Sequence, residues 1–178
     1  MPPYFAFLRA INVGKRVVRM ETLRGLFEDL GFADAETFIN SGNVIFQCKD
    51  ARAAALETRI AGHLESSLGY PVATFLRSAA ELAAVNAYRP FPEEAIRTAG
   101  ACCAGFLARP LEAPQQEVLL GLQTDIDTFH LHGRELYWLC RKKQSESTIS
   151  GALLERKLKT SLTFRNLTTV ARLAEKYR

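Results

Sequence analysis

Glu36-Thr37-Phe38-Ile39-Asn40-Ser41-Gly42-Asn43-Val44-Ile45-Phe46-Gln47-Cys48 is the stretch that decides the architecture. Two β-rich runs, residues 36–40 and 43–48, flank Ser41-Gly42, which predicts a hairpin. On its N-terminal side, Met20, Leu23, Phe27 and Leu30 keep the spacing of one helical face, and Gly31 is a stop signal. On its C-terminal side, Asp50 caps a second helical pattern of Leu56, Ile60, Leu64 and Leu68, closed by Gly69. Outside these lie residues 4–11, a strand apolar on both faces and so expected to be covered on each side, and residues 71–77, a fourth strand. The order strand–helix–strand–strand–helix–strand predicts a ferredoxin-like (split βαβ) unit. Ser78 and Glu81 then have the spacing of a capping box for a short helix.

Tyr88-Arg89-Pro90-Phe91-Pro92-Glu93-Glu94 reads as a linker, because two prolines interrupt any regular element. The expected organisation is a first unit over residues 1–87, a linker over 88–98 and a second unit over 99–178. In the second unit, residues 99–108 read as a strand, and Pro114 opens a helix with Val118, Leu119 and Leu122. Residues 127–132 and 135–141 form a second hairpin around Gly133-Arg134. Glu36-Thr37-Phe38 lies 91 residues before Asp127-Thr128-Phe129, Gly42 lies 91 before Gly133, and Phe46 falls opposite Tyr137. With the same order of elements around both, this points to an internal duplication. Helices near residues 151–159 and 167–177 follow without an evident fourth strand. The predicted fold is α+β: two ferredoxin-like units in tandem, the second incomplete, with additional C-terminal helices.

The chain has 178 residues, 48% hydrophobic and 24% charged. That composition excludes disordered, collagen-like and low-complexity classes, and the length suffices for a core without disulfides or a structural metal. A net charge of +4 favours phosphate-bearing partners without identifying nucleic acid. The N-terminal run lacks the charged region and cleavage site of a signal peptide, and no segment reaches the ~18 uncharged residues of a membrane span. Cys48, Cys102, Cys103 and Cys140 form no C-x-x-C pair, so reduced, buried thiols in a cytoplasmic protein with no membrane partner are expected.

In a split βαβ unit the first and second strands run in the same direction. Their following loops, Asn12-Val13-Gly14-Lys15-Arg16 and Ser41-Gly42-Asn43, therefore emerge at one end, where Gly69-Tyr70-Pro71 also returns. Arg9, Lys15, Arg16 and Arg19 add cations there. Backbone N–H groups, glycines and guanidinium forks together make an anion site. The candidate ligand-binding set is Arg9, Asn12, Gly14, Lys15, Ser41, Gly42, Asn43, Arg165 and Asn166, with a phosphate- or carboxylate-bearing small molecule as the partner. The plainer alternative is turn and cap chemistry, with Asn166 as a helix N-cap. No Walker A or G-x-G-x-x-G loop occurs, so no cofactor is expected, and no nucleophile elbow or triad is present. His130 and His132 form an H-x-H pair, but a two-residue turn at Gly133-Arg134 pairs His132 with Glu135 and Asp127 with Cys140, turning the nearest thiol away. No metal site is expected. Phe5, Phe7 and Phe46, on the two central strands, raise single-stranded nucleic-acid binding as an alternative, and a structural or protein-interaction role is a third. The residues name no reaction and leave enzyme status and oligomeric state open.

Phe7-Leu8-Arg9-Ala10-Ile11-Asn12-Val13-Gly14, Met20-x-x-Leu23-Arg24, Leu30-Gly31-Phe32 and Ile39-Asn40-Ser41-Gly42-Asn43-Val44-Ile45-Phe46 resemble the N-terminal signature of the domain of unknown function 1697 family. Leu153-Leu154-Glu155-Arg156-Lys157-Leu158 and Thr163-x-Arg165-Asn166-x-x-Thr169-Val170 resemble its C-terminal part. The resemblance spans nearly the whole chain. It implies a bacterial protein with a pair of ferredoxin-like α+β units and supplies no activity. The family pattern usually has Gly at Ala10, a second Gly near Lys15, Gln at Asn40, Trp at Leu167 and Ser-Lys at Ser147-Thr148.

Overall fold

A computed structural model describes residues 1, 3–39, 42–49 and 52–177. The chain is mixed α+β and divides into two compact units. One comprises residues 1–83 together with the C-terminal residues from Leu173, and the other Ala84–Arg172. Among the described residues no helix is long and apolar enough to cross a membrane.

The first unit contains β1 (Pro3–Leu8), α1 (Met20–Glu28), β2 (Ala33–Thr37), β3 (Asn43–Gln47), α2 (Ala53–Leu68) and β4 (Thr74–Ser78). Its antiparallel sheet has the order β2-β3-β1-β4. Phe5 faces Ile45 on one side and Arg77 on the other in the register. Alternation along β1 sends Tyr4, Ala6 and Leu8 into a core with Leu23 and Phe27 of α1 and Leu56, Ile60 and Leu64 of α2. These are the residues whose helical spacing is visible in the sequence. Phe46 anchors that core, with ring centroids 4.4 Å from Phe32 and 5.4 Å from Phe27. On the opposite face Phe5, Phe7 and Phe75 are also buried, and Tyr177 meets Phe5 edge-on at 5.4 Å. Covered faces on both sides follow from a strand with no polar face.

The second strand starts earlier than its β-rich residues suggest, at Ala33, with a register irregularity between Ala33 and Glu36. Asp34 there adopts a left-handed backbone, φ 51°. A polar edge strand with a bulge lacks clean alternation, so the sequence pattern misplaces it. Asn40, Ser41 and the expected cap Asp50 lie outside the described residues. Gly69 closes α2 in the left-handed conformation, φ 81°. Glu81 and Ser78 form the expected reciprocal box: Ser78 N–H donates to Glu81 Oε2 (2.8 Å) and Glu81 N–H to Ser78 Oγ (3.2 Å). They open α3 (Ala79–Ala87).

After α4 (Glu93–Thr98), a short helix in the stretch expected to be linker, come β5 (Ala101–Phe106), α5 (Ala113–Gly121), β6 (Asp127–His132), β7 (Glu135–Cys140), α6 (Gly151–Leu158), β8 (Thr163–Asn166) and α7 (Leu167–Lys176). The second sheet is also four-stranded, with the order β6-β7-β5-β8, so the expectation of an incomplete second unit is wrong. The missing strand is β8, four residues of sequence Thr-Phe-Arg-Asn, too short and too polar to register as a strand. The Gly133-Arg134 turn is the two-residue one, pairing His132 with Glu135 and Asp127 with Cys140. Leu136, Trp138 and Cys140 face the core with Leu119 of α5 and Leu154 and Leu158 of α6. Of the apolar residues of α5, Leu119 is buried and Val118 is 40% exposed.

The first hairpin has a longer loop than the second, so the 91-residue offset does not preserve side-chain direction. Phe46 lies in the helix-facing core, as Trp138 does in the second unit, whereas Tyr137 is absent from that cluster.

Asp127 shows how the second core tolerates a carboxylate. It is fully buried and accepts hydrogen bonds from Trp138 Nε1 (2.8 Å), Thr124 Oγ1 (2.7 Å) and Ser147 Oγ (2.7 Å). Burial opposes its ionisation, but the Ser147, Thr124, Trp138 and Cys140 donors together outweigh it and hold the carboxyl below its ordinary 3.8. Its contribution to stability is therefore fully present above about pH 4 and is lost as pH falls through the lower folded value. Asp127→Ala leaves these donors without their acceptor and is expected to cost about 3 kcal/mol in urea denaturation at pH 7. The gap between variant and parent should narrow as the pH drops below 4, and a constant gap would contradict this reading.

Candidate functional site

Because β1 and β2 are both antiparallel to β3, they run in the same direction, and the loops after them meet at one end of the first sheet. Two backbone bonds close that end: Leu8 N–H donates to Gly42 O (2.8 Å) and Arg9 N–H to Ala73 O (2.9 Å). Three loops are thus drawn together, as the topology requires. Gly42 is buried at the junction with φ 73°; a Cβ there would lie 2.8 Å from Ile11 Cγ2 and 3.1 Å from Leu8 O. Only glycine fits, on both conformational and steric grounds.

The polar residues expected here divide into two groups. Asn12 and Asn43 build the loops. Asn12 Oδ1 accepts Val18 N–H at 2.7 Å, and the buried Asn43 donates from Nδ2 to Phe38 O at 2.9 Å, while Phe38 N–H returns to Asn43 O at 3.0 Å. These bonds are the turn chemistry that the residue types allow. Gly14, Lys15, Arg16 and Arg19 are exposed, and Arg9 is half-buried. Gly14 has φ 64° and open space where a Cβ would stand. The Arg16 guanidinium lies 4.3 Å from the Tyr70 ring centroid, a cation–π contact that fixes its position. Ser41 lies outside the described residues.

Arg165 and Asn166 belong to the second unit and have local partners there. Arg165 is buried on β8 opposite Ala104, and its Nη1 donates to Thr163 Oγ1 and Phe164 O, both at 2.8 Å. Burial lowers its pKa to about 10. Asn166 ends β8, and its Oδ1 accepts from the Cys103 thiol at 3.2 Å.

Other candidates resolve in the same way. Phe5, Phe7 and Phe46 are at most 2% exposed and present no ring face to a base. His130 and His132 meet Tyr88: the Tyr88 hydroxyl is 2.6 Å from His130 Nε2, and its ring stacks on His132 at 4.0 Å and 9°. Cys140 points to the opposite, helix-facing side. Burial pushes the Cys102 thiol up to about 12, reinforced by Cys103, and raises Cys103 to about 11, so both stay protonated and non-nucleophilic near neutrality. Cys103 and Cys140 are buried as expected; Cys48 and Cys102 are only half-buried. Sequence reading missed the contacts of Tyr88 with both histidines, because the prolines that follow it look like linker. The available signal was an aromatic residue beside an arginine between two ordered elements.

Two non-glycine residues at the loop end of the first unit hold a left-handed backbone. Ala10 has φ 55° and Ile39 φ 57°, values uncommon outside glycine and, for β-branched Ile39, a true outlier. The left-handed backbone at Ala10 accounts physically for the glycine expected there from the family resemblance. Ala10→Gly is expected to raise stability by up to about 1 kcal/mol in denaturant unfolding; a loss of that size would mean the left-handed geometry is absent in solution.

The family described as protein of unknown function (DUF1697) matches residues 1–137. The conserved bacterial protein SP0830 of Streptococcus pneumoniae has a similar structure, with a TM-score of 0.77 and 24% sequence identity, covering 99% of this chain and 98% of that one. At that identity the likeness concerns the fold. No curated protein matches. The chain belongs to the DUF1697 family.

Proposed function

We propose that this DUF1697 protein binds a small phosphate- or carboxylate-bearing molecule at the loop end of its first unit. The observation that carries this reading is the closure of three loops by Leu8 N–H···Gly42 O and Arg9 N–H···Ala73 O, with an open glycine, Gly14, followed directly by Lys15 and Arg16. Gly14, with nothing within 4 Å of a Cβ position, lets a ligand approach the backbone closely. Lys15 supplies a mobile point charge, Arg16 a guanidinium steadied over Tyr70, and Arg9 a half-buried charge at the base. Asn12, Gly42 and Asn43 hold the loop shapes, and Ser41 stands between them in sequence. Arg165 and Asn166 act within the second unit and are not needed for this reading.

The two strand orders, β2-β3-β1-β4 and β6-β7-β5-β8, are both the order of a ferredoxin-like sheet, which supports a tandem of such units. Arg77 and Arg165 add to an origin by duplication. Each is buried near the end of the fourth strand of its sheet, directly before a helix, and donates from Nη1 to the preceding carbonyl, at 2.7 and 2.8 Å. Four free cysteines favour the cytoplasm as the compartment.

The test is a thermal-shift titration with inorganic phosphate and pyrophosphate against chloride at matched ionic strength. At ten times the dissociation constant, binding adds about 1.4 kcal/mol, or about 3–6 °C for a chain this size. The Lys15→Ala/Arg16→Ala double variant should fold normally and lose that shift. An equal shift in the double variant, or none in the parent at millimolar pyrophosphate, would overturn the proposal.

A further inference from the structure

The second unit carries a cleft of about 280 Å³ in the segment that reads as a linker. Its hydrocarbon walls come from Val85, Ile96, Leu167 and Val170, and its charges from Arg89 and Glu93. Arg89 and Glu93 are separated only by Pro90-Phe91-Pro92, whose two fixed φ angles hold them apart on a stiff backbone. Arg89 is anchored through one nitrogen: Nη1 donates to Asn86 O (2.8 Å) and Tyr88 O (3.3 Å). Among the described residues those bonds use Nη1 alone, so Nε and Nη2 keep donors for a ligand. Tyr88, another wall of the cleft, is pinned by its hydroxyl to His130 Nε2 and by its ring to His132. Glu94, the neighbour of Glu93, is engaged by Arg97 at 3.0 Å from Nε, and among the described residues no such partner is seen for Glu93.

A cleft just below the ~300–1,000 Å³ of drug-sized sites suits a metabolite of amino-acid size. One cation and one carboxylate at the rim of an apolar floor disfavour ligands of a single charge: an anion meets Glu93 and a cation meets Arg89, whereas a neutral hydrocarbon uses neither. We propose that this cleft binds a small apolar zwitterion, its carboxylate on Arg89, its ammonium on Glu93 and its side chain against Val85, Ile96, Leu167 and Val170. The site is separate from the anion-binding loops of the first unit, and neither proposal requires the other.

Calorimetric titration with L-leucine and L-phenylalanine, alongside 3-phenylpropionate and phenethylamine, tests it. The amino acids should bind saturably, and each single-charge analogue at least about tenfold more weakly than phenylalanine. Arg89→Gln should weaken phenylalanine and phenylpropionate but spare phenethylamine, and Glu93→Gln should do the converse. Loss of fold alone cannot produce that crossed pattern. Ala171→Leu, which fills the cleft and leaves both charges in place, should abolish binding of all four while circular dichroism stays unchanged. Pyrophosphate should not compete. Equal binding of the three phenyl compounds, parallel losses in the two charge variants, or no saturation by either amino acid up to about 10 mM with the folded protein, would each overturn the proposal.

Discussion

Burial of the central strands on both faces is the constraint from which the rest of the structure follows. β1 has no residue it can show to water on either side, from Tyr4 to Leu8. A sheet whose middle is apolar above and below must be covered twice, and helices α1 and α2 supply only one cover. The other face holds Phe5, Phe7 and Phe75, all buried, with Tyr177 from the C-terminal end of the chain against Phe5. That need explains why the last residues of the chain group with the first unit rather than the second. It also leaves Phe5, Phe7 and Phe75 with no exposed ring on that face.

Edge strands then need different treatment from central ones. A fourth strand has backbone donors without a neighbouring strand on its outer side, and an acidic side chain from the preceding helix meets that need in both units. Glu57 of α2 accepts Leu76 N–H at 2.8 Å, and Glu155 of α6 accepts Leu162 N–H at 3.0 Å, just before β8. The glutamate within Leu153-Leu154-Glu155-Arg156 thus has a structural task that its position in a recurring motif does not reveal. Ser147 is similar: its hydroxyl serves the buried Asp127, so its presence next to Thr148 is explained by packing chemistry alone.

The parts of this fold that were legible in the sequence are those governed by period and punctuation. Leu23–Phe27 and Leu56–Ile60–Leu64 announce their helices, Gly69 its stop, Ser78–Glu81 its box, and Gly133-Arg134 its tight turn. β8 was not legible because its four residues include Thr163, Arg165 and Asn166, and the burial of Arg165 depends on pairing with β5, sixty residues away. The early start of β2 was hidden by a bulge. Within the candidate site, Gly42 and the convergence of loops followed from topology. The engagement of Asn12 and Asn43 in loop bonds did not, because asparagine serves a ligand and a turn with the same atoms. Tyr88 and Arg89 were masked by the prolines around them, which signal irregular backbone and say nothing about what that backbone presents.

The two hairpin ends differ in conformational strain, although the second unit has a left-handed residue elsewhere, Lys159 at the end of α6, φ 53°. In the first, Ala10 and Ile39 both hold a left-handed backbone beside Gly14 and Gly42, each non-glycine costing of order 1–2 kcal/mol. The corresponding hairpin of the second unit turns in two residues with a glycine at φ 59° and has no such strain. A core as closely packed as that around Phe46 can support the cost, but packing gives no reason to incur it when a shorter turn would close the same sheet. Strained loop residues beside exposed cations in the first unit, and a relaxed two-residue turn in the second, thus distinguish two sheets of the same strand order. The first carries exposed cations at its loops, and the second holds a cleft lined by Arg89 and Glu93.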